Sequence, residues 1–224
     1  MYKACIFDLD GTLANTLESI AYFSNAALQK CGYGTVPVEQ YRNIVGNGSA
    51  VQIRRMLRTV CGIGGYTEQE AVSLQKIYKS LYSSDPVFRV KNYPGMQETV
   101  SALKTMGIKM AVLSNKPDEW VSVIISGMFP KGSFEVCMGQ VPGVPLKPSP
   151  EGAFTAAEKL NVEPESCLYL GDTHTDMETG IAAGMDTVGV LWGFRDRAEL
   201  SESHAKYIIE KPEEILGIIS GKRK

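Results

Sequence analysis

Residues 4–13 read ACIFDLDGTL, and this stretch indicates the fold of the whole chain. The apolar run from Ala4 to Phe7 ends before a glycine turn, which is typical of a buried strand in a parallel sheet. Asp8 and Asp10 follow the run, and side chains two residues apart in an extended chain lie on one face. We therefore expect both carboxylates to meet at the carboxyl end of the strand, where ligands bind in open α/β sheets.

This carboxylate pair predicts a metal site. Like charges beside an apolar strand repel each other and lose hydration, and a bound cation removes most of that cost. Oxygen ligands favour Mg²⁺ over Zn²⁺, and Gly11 lets the backbone turn its N–H groups towards an anion. A calcium loop does not fit, because the sixth position from Asp8 is Leu13 and the twelfth is Ser19. A solvated Asp-rich turn remains the alternative at this point.

The composition limits the classes of protein to be considered. The chain has 224 residues, of which 44% are hydrophobic and 21% charged, and its net charge of −2 predicts no nucleic-acid partner. Its apolar runs are too short for a membrane span, and two aspartates interrupt any signal peptide. Five scattered cysteines without a Cys-x-x-Cys pair predict reduced thiols and a cytoplasmic location. We expect a monomer or a homodimer.

Helical periodicity dominates the part of the chain after the first strand. Helices are predicted near residues 17–31, 38–45, 49–60 and 67–83. Ser49 is the expected N-cap of the third helix, and Thr67 with Glu70 has the spacing of a capping box at the fourth.

Strands and helices alternate in the rest of the chain. Predicted strands cover residues 109–113, 134–138, 167–170, 187–190 and 207–209. Predicted helices cover residues 96–106, 119–128, 150–160 and 176–183, with a last helix starting at Pro212 and a frayed basic tail at 217–224. This order predicts an α/β fold. Its core would be a doubly wound parallel sheet (Rossmann-like) formed by residues 1–14 and 91–224. Residues 15–90 are then an inserted all-helical cap domain.

Two later segments of this core carry polar side chains that could bind a ligand. Ser114 and Asn115 come directly after a predicted strand, where a hydroxyl and loop N–H groups can hold a phosphate oxygen, although a plain turn is the alternative. Lys147 lies in the segment LKPSP, whose prolines stiffen the backbone. We expect this lysine to neutralise a phosphoryl group and a carboxylate, and a solvated surface lysine is the alternative.

The segment LYLGDTHTD at residues 168–176 is a second acidic strand end. Asp172 follows its apolar strand as Asp8 follows the first one. Asp176 begins the next helix, where capping of N–H groups is an alternative to metal binding. His174 is expected to face solvent.

The four motifs in this order resemble the haloacid dehalogenase superfamily of phosphotransferases, and the resemblance covers essentially the whole chain. By that resemblance Asp8 is the nucleophile that forms an aspartyl-phosphate, and Asp10 is the general acid and base. Ser114, Asn115 and Lys147 would bind the phosphoryl group of a small phosphorylated metabolite. Mg²⁺ would be held by the Asp8 side chain, the Asp10 carbonyl, Asp172 and Asp176. These roles agree with the needs of phosphoryl transfer, which are alignment and charge neutralisation.

The helical insertion is similar to the small mobile cap of this superfamily. Its turn Gly46-Asn47-Gly48 resembles phosphoglycolate phosphatases, as does the later run from Trp192-Gly193-Phe194 to Arg197-Ala198-Glu199-Leu200, and we expect the turn to select the leaving group. Ser49 stands where the related β-phosphoglucomutases carry an arginine, which weakens a mutase function.

Other functions remain open at this stage. A pyrophosphatase or a nucleotidase fits the same scaffold, whereas dehalogenases and phosphonatases lack a second aspartate such as Asp10. A non-catalytic phospho-acceptor resembling response-regulator receivers, and a structural metal-binding protein, are the alternatives of another class. The aspartate pair and the cap favour an enzyme.

Overall fold

A central parallel sheet and a separate group of helices make up the part of the chain that the computed structural model describes, residues 2–221. The strands in these residues are β1 (Ala4–Phe7), β2 (Ala14–Asn15), β3 (Lys91–Asn92), β4 (Lys109–Pro117), β5 (Val136–Gln140), β6 (Cys167–Gly171), β7 (Asp186–Val190) and β8 (Tyr207–Ile209). The α-helices are α1 (Leu17–Lys30), α2 (Tyr41–Ile44), α3 (Ser49–Cys61), α4 (Glu68–Ser84), α5 (Met96–Thr105), α6 (Asp118–Met128), α7 (Glu151–Leu160), α8 (His174–Ala182), α9 (Arg197–Glu202) and α10 (Glu214–Ile219).

The large sheet has the strand order β5-β4-β1-β6-β7-β8, and every neighbouring pair is parallel. Strand β1 lies near the middle, where Phe7 stands opposite Val112 of β4 and Leu170 of β6. The carboxyl ends of these three strands therefore share one edge of the sheet. The strand order reverses beside β1, with β4 on one side and β6 on the other, and ligands bind in open α/β sheets at such a point.

Helices cover both faces of the sheet, because alternate strand residues point to opposite sides. Cys5 and Phe7 belong to one buried cluster with residues of α5, α6 and α10. Ala4 and Ile6 belong to another with residues of α7. Burial of both faces explains the uninterrupted apolar sequence of β1. The predicted α/β fold with a doubly wound parallel sheet is thus confirmed.

Helices α1 to α4 form a third buried cluster of their own. They lie between β2 and β3, which pair antiparallel as a short two-stranded ribbon at the two chain crossings. Trp120 of α6 and Phe194 belong to this cluster although both lie in the sheet part of the chain. The division into residues 1–14 and 91–224 on one side and 15–90 on the other stays a prediction.

Several local expectations are corrected by the structure. The capping box of Thr67 and Glu70 is present at α4, but Gly48 and not Ser49 is the N-cap residue of α3. The Ser49 hydroxyl instead accepts a hydrogen bond from Gln75 Nε2. The expected frayed tail begins too early, because α10 continues to Ile219, whose side chain is buried. Residues 222–224 of that expectation lie outside the described part.

Candidate active site

A narrow cavity of about 40 Å³ lies between the carboxyl edge of the sheet and helices α1 to α4. Both parts of the molecule contribute to its wall. The lining residues are Asp8, Asp10, Ile20, Val45, Gly46, Gly48, Ser49, Gln52, Tyr78, Ser114, Asn115, Lys116, Pro117 and Trp120.

Three buried carboxylates meet beside this cavity. Asp8 follows β1, Asp172 follows β6, and Asp176 lies in the first turn of α8. Each offers an oxygen, and these oxygens lie within 4.8 Å of one another. Gly11 makes the close approach possible, since its φ of +88° suits glycine and a Cβ there would overlap the carboxylate of Asp172.

Lys147 lies between two of these carboxylates. Its Nζ is 2.9 Å from Asp8 Oδ1 and 2.7 Å from Asp176 Oδ1. Burial acts to lower the pKa of Lys147, but the charges of Asp176 and Asp8 raise it well above its ordinary value. The lysine is therefore charged, and it is buried rather than solvated.

Asn115 holds the backbone that presents Lys147. Its Oδ1 accepts the Lys147 N–H at 2.9 Å, and its Nδ2 donates to the carbonyls of Lys147 and Gly46, each at 3.1 Å. The side-chain amide thus joins the lysine segment to the turn of the helical part. Ser114 lines the cavity, where its hydroxyl accepts the N–H of Lys116 at 3.2 Å.

Asp176 has both of its oxygens engaged. Oδ1 pairs with Lys147, and Oδ2 accepts hydrogen bonds from the N–H and the hydroxyl of Thr173 at 3.1 and 2.7 Å. The expected capping role of Asp176 is therefore present, as a capping box at the start of α8.

The donor set fits a hard divalent cation. Burial and the charges of Asp176 and Asp8 raise the pKa of Asp172 well above its ordinary value. Burial also raises the pKa of Asp8, to about 7, against the lowering effect of Lys147. Lys147 contacts only two of the three carboxylates, and a bound cation would relieve the repulsion within the group and favour its ionised form. All-oxygen ligands of this kind suit Mg²⁺.

The side chain of Asp10 lies outside the carboxylate group. Its two oxygens accept hydrogen bonds from Lys116 Nζ at 3.0 and 3.1 Å. Lys116 is buried, and its Nζ lies 4.7 Å from the ring centroid of Tyr82. Lys116 was not among the predicted site residues. Its position two residues after Ser114 in an extended strand could have indicated it, since both side chains then share a face.

The turn at residues 46–48 lies against the sheet part of the molecule. Gly46 and Gly48 line the cavity, whereas Asn47 Nδ2 donates to Thr175 Oγ1 at 3.2 Å. The guanidinium of Arg55 donates to Asn47 Oδ1 at 2.9 Å and supports the turn from behind. Selection of the leaving group by this turn stays a prediction.

His174 is not in the cavity. It is the first residue of α8, its side chain is partly exposed, and its Nδ1 lies 2.8 Å from Glu199 Oε1. The helix that contains Glu199, α9, was not predicted from the sequence. No helix in residues 2–221 has the length and apolar character needed to cross a membrane.

The chain is similar to known proteins over most of its length. The chain is 30% identical over 208 residues to a phosphoglycolate phosphatase of Pseudomonas syringae pv. tomato, covering 93% of this chain and 76% of the relative. It is 29% identical over 220 residues to a phosphoglycolate phosphatase of Haemophilus influenzae, covering 97% and 98%. A crystal structure from Lactobacillus delbrueckii subsp. bulgaricus, named provisionally as a phosphoglycolate phosphatase, superimposes with a TM-score of 0.91 at 30% identity, covering 97% and 98%.

The sequence profile of the haloacid dehalogenase-like hydrolases matches residues 5–190, a span that begins in β1 and ends with β7. It includes every strand end that supplies a polar group to the cavity. The chain therefore belongs to the haloacid dehalogenase-like hydrolase family.

Proposed function

We propose that this protein is a phosphatase that hydrolyses a small phosphomonoester through an aspartyl-phosphate on Asp8, with phosphoglycolate as the substrate. The observation that carries the proposal is the contact of Asp8 with Lys147 beside two further buried carboxylates. An anionic nucleophile can approach an anionic phosphoryl group only where cations neutralise both.

In the first half-reaction, an oxygen of Asp8 forms a bond to phosphorus while the bond from phosphorus to the leaving oxygen breaks. Lys147 is placed to hold a phosphoryl oxygen against Asp8, and the hydroxyl of Ser114 lines the same cavity. Asn115 acts on the phosphoryl group through Lys147, whose backbone it holds. Mg²⁺, held by Asp8, Asp172, Asp176 and the Asp10 carbonyl, would supply further neutralisation of the phosphoryl charge.

Asp10 is assigned the proton transfers. It would protonate the leaving oxygen in the first half-reaction. In the second, it would take a proton from the water whose oxygen bonds to phosphorus while the bond from phosphorus to Asp8 breaks, which releases phosphate and restores the Asp8 carboxylate. Its carboxylate lines the cavity and lies outside the metal cluster, which suits a group that exchanges protons.

The size of the cavity supports a small leaving group. About 40 Å³ is far below the roughly 300–1,000 Å³ of pockets that hold drug-sized ligands. Two curated relatives named phosphoglycolate phosphatases support the same substrate. A β-phosphoglucomutase from Clostridium difficile shares the fold at a TM-score of 0.78 but is 21% identical, so it supports no mutase activity.

Cellular setting and assembly belong to the same proposal. All five cysteines are free thiols, which supports a reducing, cytoplasmic location. A monomer or a homodimer acting on a small metabolite, without nucleic acid or membrane partners, remains our expectation.

Asp8→Asn tests the proposal, because it keeps the shape of the side chain and removes the nucleophilic anion. The wild-type protein is assayed with Mg²⁺ on a panel of phosphometabolites that includes phosphoglycolate, sugar phosphates, nucleotides and pyrophosphate. We expect it to release phosphate from phosphoglycolate. Asp8→Asn should abolish turnover and leave the circular dichroism spectrum unchanged. Activity close to wild type in Asp8→Asn, or a sugar phosphate, a nucleotide or pyrophosphate as the best substrate, would contradict the assignment.

A further inference from the structure

Lys116 is the cationic side chain among the described residues that line the cavity. The cap wall opposite it is apolar or already hydrogen-bonded. Ile20 and Tyr78 carry no charge, Gln52 Nε2 donates to Ser24, and the hydroxyl of Ser49 accepts from Gln75. Lys116 is therefore the cationic side chain that the cavity lining offers to an anionic leaving group.

The two buried lysines of the site divide the charge between its two ends. Lys147 contacts Asp8 and Asp176, so it serves the phosphoryl end. Lys116 contacts both oxygens of Asp10 and lies over the ring of Tyr82. Asp10 is the group assigned to the leaving oxygen, so Lys116 lies beside the first atoms of the leaving group.

We infer that Lys116 is a specificity-determining residue that binds a carboxylate on the leaving group, one carbon from the leaving oxygen. Lys116 is paired with Asp10 at 3.0 Å. A substrate carboxylate replaces Asp10 as its partner and leaves the oxygens of Asp10 facing the leaving oxygen. A neutral leaving group cannot make this exchange, because a hydroxyl competes weakly with a carboxylate for an ammonium group. The inference rests on the proposed phosphatase function and names its substrate class as small phosphorylated 2-hydroxy acids.

A matched pair of substrates tests the inference. 2-Phosphoglycolate and 2-hydroxyethyl phosphate have leaving groups of similar size, but one ends in a carboxylate and the other in a hydroxyl. We expect the wild-type kcat/KM to favour phosphoglycolate. In Lys116→Met this preference should fall by roughly 10–100-fold, the range for a lost hydrogen bond between charged groups. Lys79→Met, at an exposed lysine of α4, is the matched control and should keep the preference.

A second pair of variants covers the case in which Lys116→Met does not fold. Lys116→Arg keeps a cation at the site and should retain most of the preference, whereas Lys116→Gln should lose it. Calorimetric binding of phosphoglycolate to Asp8→Asn, with and without Lys116→Gln, provides a readout without turnover. Weaker binding in the double variant supports the inference.

The outcomes separate this inference from the proposed function. Equal losses on both esters in Lys116→Met, or no wild-type preference between them, would overturn the role of Lys116 while leaving the phosphatase assignment intact. Failure of the wild-type protein to hydrolyse either ester or p-nitrophenyl phosphate would overturn the proposed function, and the inference with it.

Discussion

At the residue scale, Gly11 shows how little space separates the parts of the site. Its positive φ costs nothing for glycine, and the carboxylate of Asp172 occupies the position that a side chain would need. Trp192 Nε1 donates to the carbonyl of Thr12 at 3.0 Å and supports the same loop from outside. The conformation of the loop after β1 therefore depends on these contacts as well as on its aspartates.

Gly11→Ala should abolish phosphatase activity. The added methyl group forces Asp172 to move, and the backbone strain alone costs about 1–2 kcal/mol of folding free energy. Gly107→Ala is the control, since Gly107 also has a positive φ, of +74°, but no heavy atom lies within 4 Å of the place its methyl group would take. Urea denaturation should show a stability loss in both variants, larger in Gly11→Ala because Asp172 must also move, and phosphatase assays should show an activity loss confined to Gly11→Ala. Full activity of Gly11→Ala would mean that the site adapts.

Asp186 provides a pH-dependent contribution to stability away from the site. Burial acts to raise the pKa of Asp186, but hydrogen bonds from Lys206 at 2.6 Å and Tyr2 at 2.5 Å outweigh it, and the pKa is lowered. Because the pKa of Asp186 is lower in the folded than in the unfolded state, ionised Asp186 stabilises the folded state at pH values above the unfolded-state pKa. This stabilisation is lost as the pH falls below about 4.

Asp186→Asn should therefore be less stable than the wild type at pH 7, by under about 1 kcal/mol because the pair is partly exposed. The difference in Tm should shrink between pH 5 and pH 3. Thermal denaturation across this range measures it. A difference that stays constant with pH would show that the ion pair has no part in the effect.

At the element scale, α4 illustrates a helix whose start is encoded locally. Thr67 accepts the N–H of Glu70 at 3.2 Å, and Glu70 accepts the N–H of Thr67 at 2.7 Å. These two bonds satisfy N–H groups that the helix itself leaves without partners. The opposite case is α3, which begins at a glycine against the sheet part of the molecule.

Thr67→Ala should lower the free energy of unfolding by about 1 kcal/mol, because it removes the capping hydroxyl. Ser73→Ala in the exposed middle of α4 is the control, and its effect should stay within about 0.5 kcal/mol. Denaturant titration of both variants gives the comparison. Equal effects would mean that the capping box adds nothing beyond a surface substitution.

At the scale of the whole molecule, Trp120 joins the sheet part to the helical part. It belongs to α6, yet its ring centroid lies 4.4 Å from the ring centroid of Tyr82, and its Nε1 donates to the hydroxyl of Ser83 at 2.9 Å. Lys116 also contacts the Tyr82 ring, so Tyr82 packs against Trp120 and contacts a side chain of the site. The arrangement of the cavity wall thus depends on packing between the two parts.

Trp120→Ala should lower the free energy of unfolding by about 3–5 kcal/mol, the usual cost of removing a buried tryptophan. Val123→Ala on the exposed side of α6 is the control and should have an effect within about 0.5 kcal/mol. Denaturation followed by far-ultraviolet circular dichroism, which does not depend on tryptophan fluorescence, measures both. A small effect of Trp120→Ala would show that the helical part folds without support from α6.

The sequence by itself determined the elements whose signal is local. The apolar run of β1, the periodicity of α1 and the capping box of α4 depend on neighbours along the chain, and all three are present in the structure. The order of strands and helices determined the parallel sheet, since parallel connections need a crossover. Family motifs predicted Asp8, Lys147 and Asp172 as site residues, and the structure brings these three side chains close together.

Tertiary structure alone decided the partners of these groups. Three contacts join positions far apart in the chain: the pair of Lys116 with Asp10, the hydrogen bonds of Asn115 to Lys147, and the packing of Trp120 among residues of the helical part. Periodicity and propensity carry no information on which distant side chains meet. Those contacts are set by the packing of the sheet edge against the helical part, which is a property of the whole fold.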